Sequence, residues 1–325
     1  MRLLRRASRN IDAAIYEVGP SYRWALIRAA ERGVRVRLVL DAHVSDGNAS
    51  TARALTAAGA ECRVAGVGAD AAHGKLLIVD GTVAVGSGNL IWRDAPRDPH
   101  LRLPPYGPPL AGTREWWATA SSSRRLRRSS ADVFEAHWTT ATAPPQRWAD
   151  VPDVTEPEVS APLPQVPPRR ICISSRRVAL VIGGAAIEQT LGEMVSAARR
   201  HVLVTVPYVR PEAPAVRAVL DRMAQARSRG VECALLLGAI PAPGDAERLA
   251  ALPFEVRRMD PARSTSGHAK GIVADGAALV SSANWSAAGL GGNWEAALRI
   301  DHAGAAAYYE AAWRRDWATA LALDV

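Results

Sequence analysis

The sequence predicts an α/β protein made of two similar αβ halves, each a mixed β-sheet flanked by helices, arranged face to face. Three observations predict it. The stretch His73-Gly-Lys75-Leu-Leu-Ile-Val-Asp80, followed by Ser87-Gly-Asn89, recurs as His268-Ala-Lys270-Gly-Ile-Val-Ala-Asp275, followed by Ser282-Ala-Asn284, with every matching residue at the same offset of 195. The segments ahead of each copy run strand, helix, strand, helix, strand in the same order. Arg32-Gly-Val and Arg229-Gly-Val stand at corresponding points of the two runs.

Taken in order, residues 1–10 read as the end of a helix and Ile11 to Val18 as a strand. Gly19-Pro20-Ser21 breaks it, with Ser21 as a cap for a helix from Tyr22 to Arg32, whose Trp24, Ile27 and Ala30 recur at helical spacing. Val34 to Leu40 is a strand, Ser50 to Ala58 a short helix and Ala60 to Val67 extended. The second half reads as a strand at Val178–Ile182, a helix at Leu191–Arg200, a strand at His201–Val206, a helix at Pro214–Arg229, a strand at Val231–Leu237, a short helix at Asp245–Ala251 and an extended stretch at Phe254–Met259.

Two departures break the repeat. Val178–Ile182 has no partner in the first half, which therefore lacks its opening strand; the natural start lies upstream, or the chain is shortened. In the first half Asn89 and Glu115 are 26 positions apart, against 11 for Asn284 and Glu295. The surplus, with Trp92, Leu101, Leu103 and Tyr106, reads as an irregular loop near the site. Eight prolines between Pro144 and Pro168 mark a linker. The organisation is a first half over 1–142, a linker over 143–170 and a second half over 171–325.

The bulk composition narrows the function. No apolar run reaches the roughly 18–20 residues of a membrane span, and no signal peptide is visible, so a cytoplasmic or peripheral membrane location is expected. Cys62, Cys172 and Cys233 are odd in number and form no Cys-x-x-Cys pair, which argues against a disulfide framework or a structural zinc. A net charge of +8 favours an anionic partner. Of 40 basic residues only Lys75 and Lys270 are lysines, one in each motif copy. A background that prefers arginine so strongly keeps lysine where a compact ammonium is wanted instead of a planar fork. A small site around one tetrahedral phosphate makes that demand.

The motif's geometry follows from strand periodicity. His and Lys at i and i+2 project to one side, and the small Gly74 and Ala269 between them leave the other side open to close packing. Asp80-Gly81 and Asp275-Gly276 are hairpin turns, so the returning strands bring Ser87, Asn89, Ser282 and Asn284 back beside His and Lys. Seven residues of strand at about 3.3 Å each put Asp80 more than about 20 Å from His73. Asp80 and Asp275 are therefore structural turn residues, and Glu115 and Glu295 are the candidates for holding the histidines. One neutral imidazole can attack phosphorus while the other, protonated, supplies the leaving oxygen with a proton. Lys75, Lys270, Asn89 and Asn284 can donate to the non-bridging oxygens, with Ser87 and Ser282 adding hydroxyl bonds. Nothing in the pattern calls for a metal or other cofactor.

His-x-Lys-x4-Asp with Ser-x-Asn downstream, present twice, resembles the phospholipase D superfamily. Ser282-Ala-Asn-Trp-Ser, Gly-Asn-Trp-Glu295 and Val-Phe-Glu-Ala-His-Trp138 strengthen the resemblance, which covers nearly the whole chain apart from the linker and the insert. It implies two αβ halves about a pseudo-twofold axis, one active site between them, and metal-independent phosphodiester cleavage through a covalent phosphohistidine. His73 is then the nucleophile and His268 the general acid. With both motifs in one chain, a monomer is expected. The implied substrate is a phospholipid head-group ester, hydrolysed or transferred, with contact to an anionic membrane surface; the alternative is a nuclease on DNA or RNA, with Arg124-Arg-Leu-Arg-Arg128 extending a groove.

Overall fold

The computed structural model describes residues 1–66, 70–91, 113–120, 124–152, 171–262 and 266–323. The insert with Trp92, Leu101, Leu103 and Tyr106, and most of the proline-rich linker, lie outside the described residues.

The first half forms β1 (Asn10–Ile15), β2 (Arg35–Asp41), β3 (Glu61–Ala65), β4 (Lys75–Val79), β5 (Thr82–Gly86), a two-residue β6 (Thr113–Arg114) and β7 (Trp117–Ala120), with helices α1 (Arg2–Arg5), α2 (Pro20–Glu31), α3 (Ser45–Ala57) and α4 (Arg124–Thr140). The second forms β8 (Val178–Ile182), β9 (His201–Val206), β10 (Glu232–Leu237), β11 (Glu255–Arg258), β12 (Ser266–Gly267), β13 (Gly271–Ala274), β14 (Ala277–Ser281), β15 (Ala296–Ile300) and β16 (Leu321–Ala322), with α5 (Gly184–Ala197), α6 (Pro214–Ser228), α7 (Pro243–Ala250) and α8 (Ala303–Trp317). One sheet has the order β3-β2-β1-β4-β5-β7 and the other β16-β11-β10-β9-β13-β14-β15-β8. Both are mixed: β1, β2 and β3 run parallel and β4 antiparallel, as do β9, β10 and β11 with β13. Among the described residues no strand of the first sheet stands where β8 stands in the second.

The strands read as almost unbroken apolar runs because both faces of each sheet are covered. Ile11, Ala13, Ile15, Leu38, Leu40 and Leu77 pack outward with α2 and α3, while Ala14, Val39, Leu76 and Ile78 face a central core. Val202, Val204, Leu235 and Ile272 likewise pack outward with α5 and α6, while Leu203, Leu236 and Val273 face the same central core. That core contains residues of both sheets, with Phe134 and Trp138 of α4 and Tyr309 and Trp313 of α8. The period of two along each strand thus sorts residues between an outer layer and the seam. Tyr309 donates to the Trp117 carbonyl at 2.8 Å and Arg114 pairs with Asp316 at 3.2 Å, tying α8 to the other half.

Two local readings are corrected. Ser21 does not cap α2: Gly19 is the cap and Pro20 takes the first helical position, where its missing N–H costs no bond. Arg127, within the Arg124–Arg128 run, does not border the motif histidines and lysines either. A Cβ placed on Gly81 would fall 2.4 Å from the Arg127 Cδ, so Arg127 lies on the β4–β5 turn, at the end of β4 opposite Lys75.

Candidate active site

Each motif aspartate opens a two-residue hairpin turn, with Asp80 at φ 50° and Asp275 at φ 48°. The left-handed conformation turns the carboxylate back toward the start of the neighbouring strand. Asp80 accepts from the backbone N–H of Ser8, Arg9 and Asn10 at 2.8–3.0 Å, and Asp275 from Arg199, Arg200 and His201 at 2.8–3.0 Å. Partial burial acts to raise each pKa, but the backbone N–H groups prevail and hold both carboxyls below the usual range. These aspartates fasten β1 to β4 and β9 to β13 at the end of each sheet remote from the histidines.

At the other end, each histidine is held by the opposite half. His73 Nδ1 lies 2.8 Å from Oε1 of Glu295, and His268 Nδ1 lies 2.7 Å from Oε1 of Glu115. The backbone enforces the crossing. His268 N–H donates to the Arg114 carbonyl at 2.9 Å, Trp294 N–H donates to the Ala71 carbonyl at 2.9 Å, and Ala71 N–H donates to Asn293 Oδ1 at 2.9 Å. The short parallel pairing of β6 with β12 joins the halves beside His268. Each histidine's approach segment is therefore stitched to the segment that carries the other half's glutamate.

The Glu295 carboxylate is fully buried and the Glu115 side chain only 4% exposed, a placement that costs several kcal/mol per unpaired ion. Burial acts to raise the Glu115 pKa, but His268, Lys270 and the Ser87 hydroxyl prevail and hold it below the usual range; Glu295 is held low by His73, Lys75 and the Ser282 hydroxyl in the same way. Ser87 Oγ donates to Glu115 and Ser282 Oγ to Glu295, and each hydroxyl accepts a backbone N–H at 2.9 Å, from Trp116 and Ala296. The expected role of Ser87 and Ser282 as phosphate donors is corrected accordingly: their hydroxyl protons are engaged in orienting the glutamates. Glu115 and Glu295 take the expected place beside histidine, but across the seam.

Lys75 and Lys270 are essentially buried, at 0% and 1% exposure. Each folds back onto the carbonyl of its own motif histidine, and Lys270 also donates across the seam to the Ser87 carbonyl at 3.2 Å. The Lys75 ammonium stands 5.1 Å from the centroid of Tyr16, whose ring also meets His73 edge-on at 4.8 Å. Burial first, then Lys75, pushes the His73 imidazole down to about 4 against the opposing pull of Glu295. With Nδ1–H donating to a carboxylate, the lone pair is on Nε2. Asn89 and Asn284, each two residues beyond its serine, are buried and half-buried.

Sequence reasoning missed four supports. Tyr16 carries no motif signal. Asp41 Oδ2 accepts the Ala72 N–H at 2.6 Å beside His73. Trp294 crosses the seam over Gly74, where a Cβ would come within 2.1 Å of its ring, and stacks on His137 at 4.1 Å. The signal for this last contact was present: a glycine between His and Lys, and a tryptophan just before Glu295.

Each motif histidine is thus backed by a carboxylate from the other half and accompanied by a buried lysine of its own motif. The chain belongs to the phospholipase D-like family: the family model described as cardiolipin synthase, PLD-like domain, matches residues 1–97 and 191–317, more than half of the chain. Members act on phosphodiesters. Among solved structures, the chain is similar to phosphatidylserine synthase of Haemophilus influenzae (TM-score 0.67, 14% identity, 99% of this chain and 84% of that one). It is also similar to polyphosphate kinase of Porphyromonas gingivalis (TM-score 0.60, 15% identity, 96% of this chain and 47% of that one). Nuc of Salmonella typhimurium, a phospholipase D family member, matches at TM-score 0.40 and 16% identity, over 46% of this chain and 98% of that one. No curated protein matches the sequence.

Proposed function

We propose that the protein cleaves or transfers phospholipid head-group phosphodiesters through a covalent phosphohistidine. The observation that carries the phosphohistidine is the pair of crossed His–Glu contacts, which supports two imidazoles presenting Nε2 to one substrate. His73, kept neutral by burial, is the nucleophile: its Nε2 forms a bond to phosphorus as the bond to the leaving oxygen breaks. His268, protonated and held by Glu115, gives that oxygen its proton. Neutral His268 then takes a proton from water or an acceptor alcohol, whose oxygen bonds phosphorus as the P–N bond breaks. Lys75, Lys270, Asn89 and Asn284 stabilise the charge gathering on the non-bridging oxygens.

The phospholipid reading is supported by the family model's description, since cardiolipin is a phospholipid. The net charge of +8 favours the nuclease alternative, but Arg127, within the Arg124–Arg128 run, lies at the β4–β5 turn, at the end of β4 opposite Lys75.

The test uses wild type, His73→Ala and His268→Ala in EDTA, on phosphatidylcholine/phosphatidylglycerol vesicles, on single- and double-stranded DNA, and on bis(p-nitrophenyl) phosphate. Head-group release lost in both variants is expected; DNA cutting lost in both would instead establish the nuclease. The nitrophenyl ester needs little acid assistance, so His268→Ala should accumulate an acid-labile phosphoenzyme that His73→Ala never forms. Turnover that survives in both variants, or that EDTA abolishes, removes the phosphohistidine mechanism.

A further inference from the structure

We infer that the apolar segment Ala239-Ile240-Pro241-Ala242-Pro243-Gly244, the β10–α7 loop with the first two residues of α7, is the element that seats the protein on a phospholipid bilayer, with the site mouth facing the lipid. The inference rests on the phospholipid reading of the site.

The loop begins at the site itself. β9 and β10 run parallel and end level, with Val206 opposite Leu237, and β13 starts at that same edge just after Lys270. Gly238, the first residue beyond β10, accepts the N–H of Gly267 at 2.9 Å, and Gly267 immediately precedes His268. Ala239 N–H donates to the Pro207 carbonyl at 2.9 Å, which places the start of the loop beside Tyr208. Ile240 is therefore two residues from a backbone contact with the approach to His268.

The loop's chemistry fits hydrocarbon. Its six residues carry no charged or hydrogen-bonding side chain. Ile240 is 71% exposed, ahead of Trp24 at 54% and Leu321 at 39%, the other large hydrophobic side chains exposed among the described residues. Ala239, Ala242, Pro243 and Gly244 are exposed with it. Two prolines limit the conformational freedom the loop can lose on contact. The corresponding turn of the first half, Asp41-Ala42-His43, is polar, and its Asp41 carboxylate bonds His43 N–H at 2.7 Å. The apolar tip is thus a feature of one rim, on the His268 side.

A bilayer suits this tip better than the other anionic or apolar occupants. Single-stranded nucleic acid is gripped by arginine, lysine and aromatic rings, and the loop offers none. A stable protein interface takes about 20–30 residues a side, against six here. A lipid surface asks only that a few apolar groups enter without burying a charge, and the basic chain adds attraction to anionic head groups.

The test measures partitioning of wild type, Ile240→Asp, Ile240→Ser and Ile240→Trp onto phosphatidylcholine/phosphatidylglycerol vesicles by co-sedimentation. Turnover of the same vesicles and of soluble bis(p-nitrophenyl) phosphate is followed in parallel. Ile240→Asp should weaken partitioning about tenfold, Ile240→Ser less, and Ile240→Trp should strengthen it. Vesicle turnover should follow partitioning, while turnover of the soluble ester stays at the wild-type level in all four proteins. Equal partitioning of wild type and Ile240→Asp overturns the inference, as does wild type that fails to bind vesicles. Loss of soluble turnover in both Ile240→Asp and Ile240→Ser also overturns it, by placing Ile240 in the reaction machinery. Wild type that binds vesicles through Ile240 yet cleaves only DNA or the soluble ester sinks the phospholipid reading and leaves the membrane contact standing.

Discussion

In the first half the backbone ahead of the motif histidine hangs on a side chain: buried Asp41 receives the Ala72 N–H through one oxygen and the His43 N–H through the other. In the second half Gly238 stands at the matching position, one residue past β10, and its carbonyl takes the Gly267 N–H directly. A Cβ on Gly238 would sit 1.5 Å from the Gly267 carbonyl oxygen. The histidine side chains differ too: His73 is 13% exposed and His268 24%. The reacting groups are the same in both halves, while the scaffold that positions them is carboxylate-supported in one and close-packed backbone in the other. The His, Lys, Ser and Glu types recur because each serine orients a glutamate and each glutamate holds the other half's histidine. Support can diverge, because a buried N–H needs an acceptor and is indifferent to its source.

The comparison is tested most severely at the crossed carboxylates. Glu295→Gln and Glu115→Gln each keep the shape and lose the charge that holds an imidazole in one tautomer. Each should lower kcat by about 10²–10⁴-fold. Glu295→Gln should slow phosphoenzyme formation, because it disables the His73 nucleophile. Glu115→Gln should leave the burst on the nitrophenyl ester while slowing its hydrolysis. Rapid-quench kinetics separates the two; identical burst behaviour would break the assignment of roles.

A smaller effect is expected at the two supports. Gly238→Ala must displace backbone and should destabilise the fold by about 3 kcal/mol. Asp41→Ala leaves the Ala72 N–H without its acceptor and should cost about 1–3 kcal/mol, whereas Asp41→Asn, which still offers an oxygen, should cost about 1 kcal/mol or less. Urea unfolding measures all three. If Asp41→Ala proves as costly as Gly238→Ala, the two supports are energetically alike and the contrast is one of form alone.

The smallest effect is in acid. The first half contributes His73 and His137, both pushed down to about 4, His137 by burial against the ring of Trp294. Their folded values lie below the ordinary one of about 6.5, so between those pH values the unfolded chain binds protons that the fold refuses. Stability is complete above about pH 6.5 and falls as pH drops toward about 4. His137→Gln should flatten that slope, whatever its cost at neutral pH, and thermal melts across pH 4–7 measure it. Unchanged acid sensitivity would exclude the seam histidine as a source. On activity, the acid limb of kcat/KM should likewise fall near pH 4, where His73 takes up its proton.

Much of the architecture was legible in the residues. The His201–Val206 and Val178–Ile182 strands coincide with β9 and β8, and β1 to β5 and α6 lie within a few residues of their predicted spans, because apolar period and Gly or Pro punctuation are local signals. The α3 helix begins at Ser45, five residues before its predicted start, since Asp46, Gly47 and Asn48 mask its first turn. Asn48 is explained by tertiary contacts: it is buried and donates to the carbonyls of Tyr16 and Asp41.

The sequence by itself determined the duplication, the strand–helix order, the two lysines and the inability of Asp80 and Asp275 to reach their own histidines. Each follows from spacing along one chain. Only the tertiary structure decided that Glu295 serves His73 and Glu115 serves His268, that Ser87 and Ser282 hold carboxylates, and that Trp294 needs Gly74. The histidine–glutamate and Trp294–Gly74 partners are separated by up to 222 residues and meet across the seam of two sheets, as the His73–Glu295 contact does, while each serine meets its glutamate within one half. A contact of that separation leaves no periodicity in the sequence, because the packing of two completed sheets sets which side chains meet.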